Sequence, residues 1–162
     1  MSAKEVLDLL EKKGLKLAIA ESLTGGMLCS ELVSVAGASN VVLGSVVAYQ
    51  TGLKAAALGV NPQLLESNGA VDPEVAVQMA EGIRSRMSLQ LLLATDGVIG
   101  VSTTGVAGPD EQDGKPVGKV FIAVSGKHGV KVWEEHFQGD RGSIRSQSVS
   151  SAIAHIGEYL AR

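Results

Sequence analysis

Three short apolar runs constrain this chain more than any other feature, because each passes directly into a polar segment. Residues 15–20 lead into 21–26, residues 41–49 into 49–54, and residues 98–102 into 103–109. Apolar runs of this length, rich in β-branched residues and bounded by glycine, read as buried strands. In open α/β sheets, ligands gather outside the carboxyl ends of strands. If these three ends share one edge, their polar continuations form one pocket.

Helical signals fill the intervals. Ser2-Ala3-Lys4-Glu5 reads as a capping box ahead of Val6, Leu9 and Leu10, and Gly14 stops that helix. A second helix follows Gly26 to about residue 35, and Thr51 caps a short one that carries Lys54 and ends at Gly59. Asn61-Pro62 and Asp72-Pro73 each open a further helix, the latter reaching about residue 87. Residues 103–109 read as a glycine-containing loop and 110–116 as an exposed connection. Residues 117–125 and 130–137 form a hairpin around Lys127-His128-Gly129, and Asp140 caps a last helix over residues 141–160. Alternating strands and helices closed by a hairpin and a helix predict a single α/β domain over 1–162, three-layer α/β/α with a mixed β-sheet.

Composition removes several function classes. The net charge is −3, and no lysine or arginine run exceeds two residues, so nucleic acid has no electrostatic footprint to bind. The sole cysteine, Cys29, permits no intrachain disulfide and fits a reducing compartment. His128, His136 and His155 lack the spacing of a metal site. No apolar run approaches the ~20 residues of a membrane span, and the amino terminus is not signal-like. The expectation is a cytoplasmic protein with no membrane partner.

Chemistry concentrates at the strand ends. Ser22 stands where a strand stops and a helix is about to begin, with the Gly25-Gly26 turn able to offer backbone N–H groups to an oxyanion or a phosphate. The alternative is that Ser22 or Thr24 simply caps the helix. Lys54 lies among Leu53, Ala55, Ala56, Ala57 and Leu58; burial would lower its pKa and let it take a proton from a serine, whereas exposure would leave it an ordinary surface lysine. Tyr49 either hydrogen-bonds into the pocket or is an amphipathic boundary residue. Thr104-Gly105 and Gly108-Pro109 could form a nest of anion-binding donors or a plain turn. Arg141 and Arg145, four apart, share a helix face that could clamp a phosphate or remain solvated.

Five blocks, in order along nearly the whole chain, resemble one family. They are Ala20-Glu21-Ser22-Leu23-Thr24-Gly25-Gly26; Tyr49 with Lys54 and Leu58-Gly59-Val60; Gly69-Ala70-Val71 with Met79-Ala80-Glu81-Gly82; Thr104-Gly105-Val106-Ala107-Gly108-Pro109 with Lys115-Pro116-Val117-Gly118; and Gly139-Asp140-Arg141 with Ile144-Arg145. The family is the CinA C-terminal domain, the nicotinamide-nucleotide amidohydrolases. The resemblance implies hydrolysis of the carboxamide of nicotinamide mononucleotide to nicotinic acid mononucleotide and ammonia, with no metal or cofactor, in a stand-alone homo-oligomeric form. It implies Ser22 as nucleophile, Lys54 as base and Tyr49 as its orienting partner. Glu21, Thr24, Gly25, Gly26, Thr104, Gly105, Gly108, Arg141 and Arg145 are implied to bind substrate. The alternative is a non-catalytic, nucleotide-binding regulatory protein of the same family. The chain departs from the family pattern at Gln50-Thr51-Gly52-Leu53, usually more polar, and at Asp110-Glu111-Gln112-Asp113, where glycines are usual.

Overall fold

A computed structural model describes residues 1–161; Arg162 lies outside the described residues. Its elements, in chain order, are α1 Ala3–Lys12, β1 Lys16–Glu21, α2 Met27–Val33, β2 Val42–Val47, α3 Thr51–Leu58, α4 Pro62–Asn68, α5 Pro73–Gln90, β3 Val98–Gly105, β4 Lys119–Gly126, β5 Gly129–His136 and α6 Arg141–Leu160. One five-stranded sheet has the order β2-β1-β3-β4-β5. Strands β2, β1 and β3 run parallel, while β4 and β5 are antiparallel, which is the mixed sheet the pattern predicts.

Helices cover both faces, because the central strands bury residues on both sides. Leu17 and Ile19 of β1 join Val101 of β3 and Ile122 of β4 in a core with α1, α2 and α6. Ala18 and Ala20 point the other way, into a core with Leu58, Met79 and Ile83. The α5 side carries small residues at its centre, Ala18, Ala20, Gly100, Ser102 and Ala123, with Val98 and Phe121 also packed on that face. Small residues let α5 lie close against the sheet. The Ser102 hydroxyl donates to the Ala76 carbonyl at 2.6 Å, and a Cβ at Gly100 would sit 2.1 Å from the Ala80 carbonyl oxygen.

Local signals hold at most element ends. The capping box forms at Ser2 and Glu5, Asn61 and Asp72 cap their helices, and Gly59 closes α3 in the left-handed region with φ of 76°. Two expectations fail. Thr51 is the first residue of α3 and not its cap; the cap position is Gln50, which makes no side-chain bond. Residues 103–105 belong to strand β3 and not to a loop, because β4 pairs with them through Gly105↔Val120.

Gly100→Ala is expected to lower stability by about 2–4 kcal/mol, since the helix must retreat to admit a methyl group. Gly97→Ala, whose Cβ would meet nothing within 4 Å, is expected to stay within about 0.5 kcal/mol. Urea midpoints of the two variants against the parent measure this.

Candidate active site

The carboxyl ends of the three parallel strands are level: Glu21 pairs with Val47 on one side and Thr103 on the other. The expected shared edge therefore exists. Strand β1 is also where the connections reverse direction, with β2 on one flank and β3 on the other, the position at which an α/β sheet leaves a crevice. Ser22 is the first residue past β1, anchored by its N–H to the Thr103 carbonyl at 2.9 Å.

Lys54 reaches the same point from the other side. The chain leaves β2, turns at buried Ala48 and enters α3, whose first turn directs Lys54 back toward the sheet edge. The side chain is only 1% exposed, so the surface-lysine alternative is overturned. Its Nζ lies 2.8 Å from the Ala48 carbonyl oxygen and 2.9 Å from Ser22 Oγ. Burial away from water disfavours the ammonium and brings its pKa down to about 8. Ser22 keeps 8% exposure, enough for its hydroxyl to face a recess of about 150 Å³. Leu23, Tyr49, Thr104, Gly105, Gly108 and Arg141 share that recess.

The side chains of Glu21 and Thr24 are engaged within the protein. Glu21 is fully buried and caps α2: its carboxylate accepts from the N–H groups of Gly26, Leu28 and Cys29 and from the Ser45 hydroxyl. Neither Ser22 nor Thr24 caps that helix; the cap position is Gly26, with φ of 95°. Thr24 turns inward, its hydroxyl 2.8 Å from that of Thr103. The Gly25 N–H donates to the Ser22 carbonyl at 3.0 Å and the Gly26 N–H to Glu21 at 2.9 Å, so neither is available to an oxyanion as expected.

The two arginines separate, although four residues apart. Arg141 faces the recess, donating to the Gly108 carbonyl at 2.7 Å and the Tyr49 hydroxyl at 2.8 Å. Both acceptors are uncharged, which leaves the guanidinium charge available to an anion. Arg145 does not line the recess; it donates to the carbonyls of Leu23 and Thr24, behind the turn. Tyr49 is 59% exposed and meets Arg141, not Lys54, whose amine is oriented by the Ala48 carbonyl instead. The Thr104 hydroxyl donates to the Ala70 carbonyl at 2.7 Å, drawing residues 70 and 71 into the wall. Ala48, Ala70 and Val71 are not identifiable as site residues from sequence, because their contributions are backbone atoms and shape. Asp110 and Gln112 also reach the rim.

The sequence model of the CinA C-terminal domain matches residues 1–160. A CinA-like protein of Frankia casuarinae is 42% identical over 156 residues, 96% of this chain and 34% of that protein. One of Acidobacterium capsulatum is 41% identical, over 96% of this chain and 36% of that protein. The chain thus spans about a third of the length of the curated relatives it matches. Among solved structures, the competence/damage inducible protein CihA from Agrobacterium tumefaciens superposes with a TM-score of 0.87 at 32% identity, covering 99% of this chain and 93% of that one. A competence damage-inducible protein A from Klebsiella pneumoniae gives 0.86 at 27% identity, covering 100% and 99%.

The lowered pKa of Lys54 carries a signature in stability. The folded amine loses its proton near pH 8, the unfolded one near 10.5, so the unfolded chain binds more protons between those values and stability rises with pH. From below pH 8 to above 10.5, the parent is expected to gain about 3 kcal/mol relative to Lys54→Met, because each tenfold difference in proton affinity between the two states is worth about 1.4 kcal/mol. Chemical denaturation across that range, compared between the two proteins, measures the difference.

Proposed function

The chain belongs to the CinA C-terminal domain family, and from that premise we propose that it is an amidohydrolase that deamidates nicotinamide mononucleotide. The observation that carries this reading is the 2.9 Å approach of Ser22 Oγ to a buried lysine amine. A hydroxyl at that distance can hand its proton to a neutral amine, which is the nucleophile-and-base pairing of serine–lysine hydrolases.

The steps use this chain's own groups. Neutral Lys54 donates one N–H to the Ala48 carbonyl and turns its lone pair to Ser22. Ser22 Oγ attacks the carboxamide carbon as its proton passes to Lys54. Collapse of the tetrahedral adduct expels ammonia, which takes its proton back from Lys54, and leaves an ester on Ser22. Water, deprotonated by Lys54, then cleaves the ester to release the acid.

Size and charge support a nucleotide amide as substrate. A recess of about 150 Å³ is small beside the ~300–1,000 Å³ typical of sites that enclose a drug-sized ligand. It suits the reacting ring and amide, with the remainder of the molecule extending across the rim. Arg141 stands on that rim with uncharged acceptors, ready for a phosphate. Glu21, Arg145 and the Thr24 side chain leave the substrate-binding set in this reading, and Tyr49 becomes a rim residue beside Arg141. A homo-oligomer remains part of the proposal by family resemblance, and a cytoplasmic location by the sequence features given above.

Ammonia release from nicotinamide mononucleotide is expected for the parent and is expected to fall at least about 10³-fold in Ser22→Ala and Lys54→Met, with circular dichroism unchanged. A parent that binds the mononucleotide without releasing ammonia would support the non-catalytic alternative and overturn this reading. Because only neutral Lys54 is a base, kcat/KM is expected to rise about tenfold per pH unit below 8 and level off above it. Arg141→Met is expected to raise KM for the mononucleotide by about tenfold or more and to leave turnover of the phosphate-free riboside unchanged.

A further inference from the structure

The turn that carries Ser22 has five backbone N–H groups, and three are already engaged. Ser22 N–H donates to Thr103, Gly25 N–H to the Ser22 carbonyl and Gly26 N–H to Glu21. The N–H groups of Leu23 and Thr24 have no acceptor among the described residues. They follow Ser22 directly, and Leu23 lines the recess.

What fixes their direction is on the far side of the same peptides. Arg145, half-buried on α6, donates from Nε to the Leu23 carbonyl and from Nη2 to the Thr24 carbonyl, each at 2.9 Å. In a planar trans peptide the C=O and the N–H point in opposite directions. A grip on the Leu23 carbonyl therefore turns the Thr24 N–H away from the guanidinium. The Ser22 carbonyl, held by Gly25, likewise turns the Leu23 N–H out of the turn. A cation on a carbonyl oxygen also draws electron density through the peptide, which makes the N–H a better donor. Gly25 leaves room for this arrangement: a Cβ there would come within 3.2 Å of Arg145 Nη2.

We propose that Arg145 is a positioning residue for acyl transfer: it aims and polarises the Leu23–Thr24 peptide, whose Thr24 N–H, together with the neighbouring Leu23 N–H, receives the oxyanion formed when Ser22 attacks. In that step the Oγ–C bond forms, the carbonyl π pair moves onto oxygen, and the hydroxyl proton goes to Lys54. The inference rests on the Ser22–Lys54 hydrolase reading. It gives Arg145 a role distinct from that of Arg141, since one arginine acts on the developing charge through backbone and the other faces the substrate directly.

The test uses Arg145→Met and Arg145→Lys in the full chain. Turnover of nicotinamide mononucleotide is expected to fall about 10²-fold in Arg145→Met, the scale of one lost oxyanion donor. KM is expected to stay within about threefold, because the ground-state amide carries no oxyanion. Arg145→Lys keeps the charge but cannot fork across two carbonyls, so an intermediate loss is expected; it also carries the test if the methionine variant does not fold. A second readout is free of substrate identity: an alkyl fluorophosphonate, whose phosphorus is attacked by Ser22 Oγ with loss of fluoride. Its labelling rate is expected to drop at least about tenfold in Arg145→Met. Parent-like turnover and labelling in both variants, or a KM effect with kcat unchanged, would overturn the inference. A parent that is labelled at Ser22 but leaves the mononucleotide intact refutes the substrate, and the labelling rates then decide the role of Arg145. A parent that resists labelling refutes the Ser22 nucleophile and this inference together.

Discussion

A lysine amine held almost wholly out of water is the constraint around which the rest of the molecule is arranged. An ammonium in that position is disfavoured, and the neutral form needs a partner for what hydrogen-bonding capacity remains. The Ala48 carbonyl and the Ser22 hydroxyl supply those partners, and both are fixed by sheet geometry. Ala48 hangs from the Glu21 carbonyl, and Ser22 from that of Thr103. Moving either strand end by an ångström would leave the amine unpaired. The level ends of β1, β2 and β3 are thus a condition for burying the charge-bearing group at all.

Glu21 and Arg145 extend that support outward. One is an anion sunk beneath the turn, joining β1 to the first turn of α2 through backbone donors. The other is a cation laid behind the turn, joining it to α6 through carbonyls. The serine loop is therefore held from below by negative charge on N–H groups and from behind by positive charge on C=O groups. Such preorganisation leaves little of the loop free to reorient when charge develops beside it.

Much of this is legible in the amino-acid order alone, and the gaps have physical causes. Apolar run lengths and glycine stops locate the sheet, and the capping box at Ser2 and the Asn61 and Asp72 caps mark helix starts. The pairing of Ser22 with Lys54 stays open from pattern alone, because a lysine flanked by alanines reads equally well as exposed. Only tertiary packing decides which face of a two-turn helix turns inward. Arg141 and Arg145 illustrate the same limit: spacing puts both on one side of α6, yet one helical turn separates the rim of the recess from the back of the loop. Glu21 misleads because a buried carboxylate next to a candidate nucleophile looks like chemistry when its neighbours are unknown. The donors it satisfies are backbone atoms, which every sequence has and no pattern reveals. Pattern also ends β3 too early, because Thr103-Thr104-Gly105 carries turn-like residues, and pairing with β4 outweighs that local preference.

The α5 face of the sheet sets the terms for anyone wishing to reshape the binding site. Under the middle of α5 the sheet carries alanine, glycine and serine, and the bulkier side chains packed there are Val98 and Phe121. At Ala18, Ala20, Gly100 and Ser102 there is little side chain to remove in making a roomier cleft for bulkier amides. Such room is better sought at the rim, at Tyr49 and the exposed stretch after Pro109, where changes in length and shape leave the scaffold of the nucleophile untouched.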